Sequence, residues 1–434
     1  MISNVNKMQT VILAGGIGNR VFPLAVNTPK PMFKLLGKPL ILFVIETLKE
    51  AGLRDLIIVT GHNSEKIKNY LKNGEKWNVN IRYTYQEKAL GQANALETTE
   101  DLVEDDFFVI NADDVFESSL IKGMMSHYKK TNADIILSCK PVHDTWKWGI
   151  IKLKDERVEK IVEKPLKGQE PSNLSVLGVY ILKRNIFKYI KKTKVSDHQY
   201  EASIQKIIDD GDFVTAYRHE GFFAAFKYPW DLFTINEYLM KKNITKPIIE
   251  EDVNVSEKAQ IEGNVWIRKG VKIFENTIIR GPCYIGSNSF IGNNCLILNH
   301  SSLGDNCVVG FASEVKHSII GDNCWFHTNY IGNSIISDDC SFGARTVTAN
   351  LRFDEKTVKL KIDRKEIDSG LSKLGVIMGD ECKTGIGSCI MPGIRVGPNS
   401  IVGPNVCLYD DLEPNQKIFV HKNNYVKIRI KTGI

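Results

Sequence analysis

No window of the 434 residues approaches the roughly 18 uninterrupted apolar residues of a membrane-spanning helix, and the longest apolar run is Leu40 to Ile45. Met1 to Thr10 is polar and lacks the apolar stretch and small-residue cleavage site of a secretory leader. The expectation is a cytoplasmic protein with no membrane partner. Cysteine numbers nine, an odd count with no CxxC pair, so neither a disulfide framework nor a zinc ribbon is indicated. Basic blocks are missing as well: 57 Lys+Arg against 51 Asp+Glu give +6 without clustering. That argues against a nucleic-acid partner and for phosphorylated small molecules. Glycine (33) and proline (14) are too few for a low-complexity chain. At roughly 150 residues per domain, the length predicts two or three domains.

The first half alternates between β-rich and amphipathic segments. Strands are predicted at Val11 to Ala14, Leu56 to Thr60, Ile81 to Tyr85, Phe107 to Ile110 and Asp134 to Cys139. Helices are predicted at Ile41 to Ala51, Ser64 to Lys72, Ala93 to Leu102 and Leu120 to Lys130. The order implies an α/β fold with a doubly wound, mostly parallel sheet. Ligands bind beyond the carboxyl ends of such strands, which here read Gly15-Gly16, Gly61, Gln86 and Asn111-Ala112-Asp113-Asp114.

The second half repeats. An aliphatic residue recurs every six positions at Val255, Ile261, Ile267, Ile273, Ile279, Ile285, Ile291, Ile297, Leu303, Val309 and Val315. The register returns at Met378, Thr384, Ile390, Val396, Val402 and Leu408. A six-residue period implies a parallel β-helix, each unit forming one face of a triangular coil. Cys283, Cys295, Cys307, Cys324, Cys340 and Cys382 stand four after an aliphatic position, as small packing residues rather than redox centres. Residues 350–373 break the period with charges and are expected to project as a functional loop.

Leu13-Ala14-Gly15-Gly16-Ile17-Gly18-Asn19-Arg20 follows a strand, so its backbone N–H groups could approach a triphosphate closely. It is neither a dinucleotide fingerprint, since Val21 stands where a third Gly is needed, nor a P-loop, since no Gly-Lys-Ser/Thr follows. With Lys30 ten residues on, and Gln86 to Gly91, Asp113, Trp148-Gly149, Glu163-Lys164-Pro165 and Trp230-Asp231 in order, the first half resembles the sugar-phosphate nucleotidyltransferases. The resemblance implies transfer of a nucleotidyl group from a nucleoside triphosphate (NTP) to a sugar 1-phosphate. It assigns Leu13, Gly15, Gly16, Gln86 and Gly91 to the nucleotide, and Arg20 and Lys30 to the phosphates. Mg²⁺ would be held by Asp113 and Asp231, and the sugar phosphate by Gly149, Glu163 and Lys164. A side-chain amide at Gln86 suits the edge of uracil or thymine, so UTP or dTTP is expected.

In the repeats, His327-Thr328-Asn329-Tyr330-Ile331-Gly332 resembles the acetyltransferase centre of two-domain bifunctional nucleotidylyltransferase/acetyltransferases, whose coil is a left-handed β-helix. That resemblance implies His327 as general base and Lys316, Tyr330, Asn350, Lys356 and Lys359 in an acetyltransferase site, with acetyl-CoA as cosubstrate and a homotrimer or dimer of trimers as the assembly. Ser341 stands where that centre is expected to carry Asn. The expected organisation is a nucleotidyltransferase domain over 1–245, a linker over 246–252, a coil domain over 253–410 and a basic closing tail over 411–434. The rival readings are a monofunctional transferase on a structural trimerising coil, and a non-catalytic binding subunit. The remaining histidines (His62, His127, His143, His198, His219, His300, His317, His421) have no ligand spacing along the chain and are read as surface or core residues.

Overall fold

In the computed structural model the chain divides into two compact units. Residues 8–18, 28–33 and 38–226 form the first, and 19–27, 34–37 and 227–420 the second. The structure describes residues 8–196 and 198–420.

The first unit is built on a nine-stranded sheet. Its order is Asn80–Tyr85, Asp55–Thr60, Gln9–Ala14, Phe107–Asn111, Leu174–Leu182, Ile135–Pro141, Val214–Arg218, Arg157–Glu163, Gly149–Lys154. The first four strands are parallel, as the sequence implies. Leu174–Leu182 then inserts antiparallel between Phe107–Asn111 and Ile135–Pro141, so the far half is mixed. Alternate residues of each central strand enter opposite cores. Ile12, Ile58 and Ile110 pack with Ile41, Ile45 and Leu120 on one face; Val11, Ile57 and Val109 pack with Leu96, Phe187 and Ile204 on the other. Burial on both faces explains the near-continuous apolar strands.

Leu40–Glu50 forms the helix expected there, and Gly52 beyond it takes φ +96°, a conformation in which glycine is at no disadvantage. The helix expected over Ala93 to Leu102 is shorter, Gln92–Glu97. Thr98 and Thr99 bond their hydroxyls back to the carbonyls of Ala95 (2.8 Å) and Leu96 (2.7 Å), an alternative to helix that Ser and Thr offer the backbone.

The second unit holds the helix Asp231–Asn243 and a left-handed β-helix of three parallel sheets with eight, nine and eight strands. Every predicted in-facing position from Ile267 to Val315 and from Met378 to Leu408 except Thr384 lies in its apolar core. The register after Val315 is not lost. Ile320, Phe326, Ile331, Ile336 and Phe342 carry the core on through coils with shorter corners, and only residues 350–373 leave it. The coil also begins and ends outside the expected bounds. Ile248–Ile249, read as linker, pairs with Trp266–Ile267, and Lys417–Ile418, read as tail, pairs with Ile401–Val402. Lys422, Lys427, Arg429 and Lys431 of that tail, and His421, lie outside the described residues.

Corners of the coil carry left-handed residues, mostly Asn: Asn276, Asn288, Asn294, Asn306 and Asn323. Asn tolerates that backbone because its short side chain bonds locally. The six in-register cysteines are buried, and Cys295 and Cys307 set their thiols on the carbonyls of Gly310 (3.0 Å) and Gly321 (3.1 Å) one coil on. Burial pushes the Cys283 thiol up to about 12, which removes thiolate reactivity.

Candidate active sites

The sequence-predicted nucleotidyl-transfer residues other than Arg20 and Asp231 lie in the first unit, and the predicted acetyl-transfer residues lie in the second. In the first unit, the four parallel strands end together. Leu13 accepts the Ala112 N–H at 3.0 Å, which ties the glycine loop to the Asn111–Asp114 turn. A Cβ on Gly61 would lie 2.6 Å from the Gly15 carbonyl oxygen, so the two strand ends touch through glycine backbone. A Cβ on Gly15 would lie 2.7 Å from Gln86 Oε1, whereas one on Gly16 would meet nothing within 4 Å. That open space borders exposed backbone.

Gln86 is buried, and its Nε2 donates to the Gly91 carbonyl (3.1 Å) and Asn94 Oδ1 (2.9 Å). Both amide hydrogens are used inside the loop, so Oε1 is the atom that faces the glycines. Lys30, on the short turn Lys30–Met32, forms an ion pair with Asp113 and stands 5.0 Å over the Phe226 ring. Asn111 Nδ2 donates to Asp114 Oδ2 (2.9 Å), and Gln92 Nε2 to Asn111 Oδ1 (3.0 Å).

Gly149 and Glu163 are cross-strand partners, and a Cβ on Gly149 would lie 2.8 Å from Glu163 Oε2. A side chain at 149 would push the Glu163 carboxylate away from its position over the strand. Lys164 Nζ is 3.5 Å from Glu163 Oε1. The half-buried Glu201, which no motif in the sequence singled out, joins this region. Burial raises its carboxyl above the usual range, and the charge of Glu163 adds to that.

Arg20 and Asp231 belong to the second unit by its grouping. Arg20 is exposed on the turn Asn19–Val21. Asp231 opens its helix, with Oδ2 accepting the backbone N–H of Lys227 (2.8 Å) and Tyr228 (2.7 Å).

The other set stands on one sheet of the coil. Strands Glu314–Lys316, Tyr330–Gly332 and Val347–Thr348 lie side by side, which puts Lys316 next to Gly332. Asn350, just past the third strand, donates Nδ2 to Tyr330 Oη (3.3 Å) and Asn333 Oδ1 (2.7 Å). A Cβ on Gly332 would lie 2.7 Å from both Asn350 Nδ2 and Tyr330 Oη. His327 is exposed at the preceding corner, its N–H bonded to Asn329 Oδ1 (2.7 Å) and its ring 6.3 Å from Trp325.

The loop over 350–373 is a hairpin, Lys359–Ile362 against Lys365–Asp368. It leans onto later coils, where Arg395 Nη2 donates to the Lys361 carbonyl (2.6 Å) and Val358 closes on Gly393. Lys356 is exposed at its base, whereas Lys359 Nζ is held by Glu366 Oε1 at 2.8 Å across the hairpin.

Residues 9–243 match the family model described as nucleotidyl transferase, and residues 264–299 and 282–317 match the six-repeat bacterial transferase hexapeptide model. The chain belongs to the nucleotidyl transferase family and carries a hexapeptide-repeat coil after that domain. It is 40% identical over 429 residues to a protein named bifunctional protein GlmU from Methanococcus maripaludis, covering 98% of this chain and 100% of that one. A protein of Sulfurisphaera tokodaii named bifunctional sugar-1-phosphate nucleotidylyltransferase/acetyltransferase is 30% identical over 418 residues, 93% and 98% of the two chains. Among solved structures, a UDP-glucose pyrophosphorylase in complex with UDP-glucose superposes with a TM-score of 0.50 at 27% identity. The match covers 55% of this chain and all of that one.

Proposed function

We propose that the protein is a bifunctional enzyme: a sugar-1-phosphate nucleotidylyltransferase in its first domain and an amino-sugar-1-phosphate N-acetyltransferase in its coil. The observation that carries the reading is whole-length similarity to proteins named for both activities, joined to two separate polar clusters at the positions the motifs assign.

In the first reaction an oxygen of the sugar 1-phosphate attacks the α-phosphorus of the triphosphate. A P–O bond forms, the bond to the departing oxygen breaks, and pyrophosphate leaves with the electron pair. Charge must be offset at both ends of that displacement. Lys30 is a compact cation for the α-phosphate, and Arg20 a planar fork for the departing phosphates. Asp113 offers hard carboxylate oxygens of the kind Mg²⁺ takes, and Asp231 is the second carboxylate the resemblance assigns. When bound, the ion neutralises phosphate charge. Lys30 already balances Asp113 before substrate arrives. Gln86 Oε1 is an acceptor for the N3–H of uracil or thymine, while Gly149, Glu163 and Lys164 receive the sugar phosphate.

In the second reaction the amino-sugar nitrogen attacks the thioester carbon of acetyl-CoA. The C–S bond breaks, the thiolate of CoA leaves, and the exposed imidazole of His327 takes the proton from nitrogen. Tyr330 and Asn350 orient the sugar, and Lys316 and Lys356 face phosphate groups. Lys359, paired with Glu366, joins only if that ion pair opens. Hexapeptide coils favour a closed ring of copies, and the assembly we assign is a trimer or a dimer of trimers.

The test is a matrix of glucose, galactose, N-acetylglucosamine and N-acetylgalactosamine 1-phosphates against the four common triphosphates plus dTTP, scored by pyrophosphate release. Turnover should require Mg²⁺ and favour UTP or dTTP. GTP as the best substrate would overturn the base assignment.

A further inference from the structure

One corner of the coil carries a ladder whose two histidines neither reaction uses. His300 and His317 occupy the same corner of successive coils, with φ of +62° and +46°, where Asn recurs elsewhere. Asn333, at φ +47°, takes that corner one coil later. The helix Asp231–Asn243 meets this ladder within the same unit: Asn236 Nδ2 donates to the His300 carbonyl at 3.0 Å, and Glu237 Oε1 lies 2.9 Å from His317 Nε2. The two imidazole rings stand edge to face with centroids 5.6 Å apart, and the Phe233 ring covers His317 at 4.9 Å. One ligand atom each from Glu237, His300 and His317 lies within 4.8 Å of the others.

A hydrogen bond to Glu237 accounts for one histidine and leaves the second unexplained. Two imidazoles and a carboxylate converging from three chain segments are instead a donor set for a borderline metal ion with a fourth position open to solvent. The hard oxygen-seeking cations would make poor use of two nitrogens. Glu237 keeps 45% of its side chain exposed, so an ion has a way in.

We propose that Glu237, His300 and His317 bind a divalent transition-metal ion of the zinc class, which fastens the helix Asp231–Asn243 to two coils. Asn333 completes the arrangement. Its amide is 2.9 Å from His317 Nδ1, and an ion on Nε2 leaves the proton on Nδ1. The Asn333 amide presents Oδ1 to that N–H when Asn333 and Asn350 both turn their amides over, Asn333 Nδ2 then donating to Asn350 Oδ1 in place of the 2.7 Å bond from Asn350 Nδ2; this is the kind of outer-shell bond that fixes ring and tautomer in histidine metal sites.

The test uses untagged full-length protein stripped with chelator, titrated with Zn²⁺ against a chromophoric competitor and with Co²⁺ by d–d absorption. One ion per chain should bind at micromolar dissociation constant or tighter, and Zn²⁺ should raise the melting temperature. His300→Asn and His317→Asn keep the residue type these corners favour, so the fold should persist by circular dichroism while binding and the melting shift disappear. Asn333→Asp offers only acceptors to His317, and should tighten binding by about tenfold. Absence of stoichiometric binding in the wild type, or binding unchanged in both histidine variants, overturns the proposal.

Discussion

Gly332→Ala tests the coil site through geometry alone. Gly332 ends the strand Tyr330–Gly332, next to the core residue Ile331, which is fully buried. A methyl at Gly332 would stand 2.7 Å from both Asn350 Nδ2 and Tyr330 Oη. Ordinary contact needs about 3.5 Å, so each group must move by roughly 0.8 Å. The 3.3 Å bond between them and the 2.7 Å bond from Asn350 to Asn333 cannot both survive that movement. Loss of one or both of these hydrogen bonds costs about 1–2 kcal/mol, which lowers the melting temperature by a few degrees and leaves the coil folded. The effect on chemistry should be larger, because a displacement of about 1 Å in a positioning group can cost on the order of 100-fold. Thiol release from acetyl-CoA with glucosamine 1-phosphate should therefore fall by about that factor while pyrophosphate release is unchanged. Acetyl transfer within about twofold of wild type would refute the assignment of Tyr330 and Asn350.

Gly16→Ala adds a methyl that meets nothing within 4 Å, so stability should change by less than about 0.5 kcal/mol. The KM for triphosphate should nonetheless rise about tenfold, because the space is kept for phosphate; an unchanged KM would show that the loop does not contact nucleotide. Light scattering should give a mass of about three or six times the 49.0 kDa chain, and a stable monomer at micromolar concentration would contradict the closed ring.

The sequence was most legible where one physical constraint acts on many residues. Six-residue spacing from Val255 to Val315 announced the coil because every in-facing side chain obeys the same wall. The four parallel strands were legible because both faces are buried. What escaped was set by distant partners. The shorter corners after Val315 hid the continuation of the core through Phe326 and Phe342. The linker assignment failed at Ile248–Ile249, whose strand partner lies a coil away. His300 and His317 showed no ligand spacing along the chain, yet one coil of the β-helix stacks them. Lys359 could not be seen to be committed to Glu366 before the hairpin was known. Gly15, Gly149 and Gly332 were legible as motif letters, but only the structure supplies the polar groups that a side chain at each would displace: Gln86, Glu163, and Tyr330 with Asn350.

The central claim, two chemistries on two separate sets of residues, is tested most directly by a crossed assay of Asp113→Asn and His327→Ala. Pyrophosphate release and acetyl-CoA thiol release are measured on the same preparations. Asp113→Asn should lose about 100-fold or more in pyrophosphate release, equivalent to about 3 kcal/mol of transition-state stabilisation, with acetyl transfer intact. His327→Ala should lose on the order of 100-fold or more in acetyl transfer with pyrophosphate release intact. Loss of both activities in either folded variant, or no thiol release from the wild type with any amino-sugar 1-phosphate, would contradict the account.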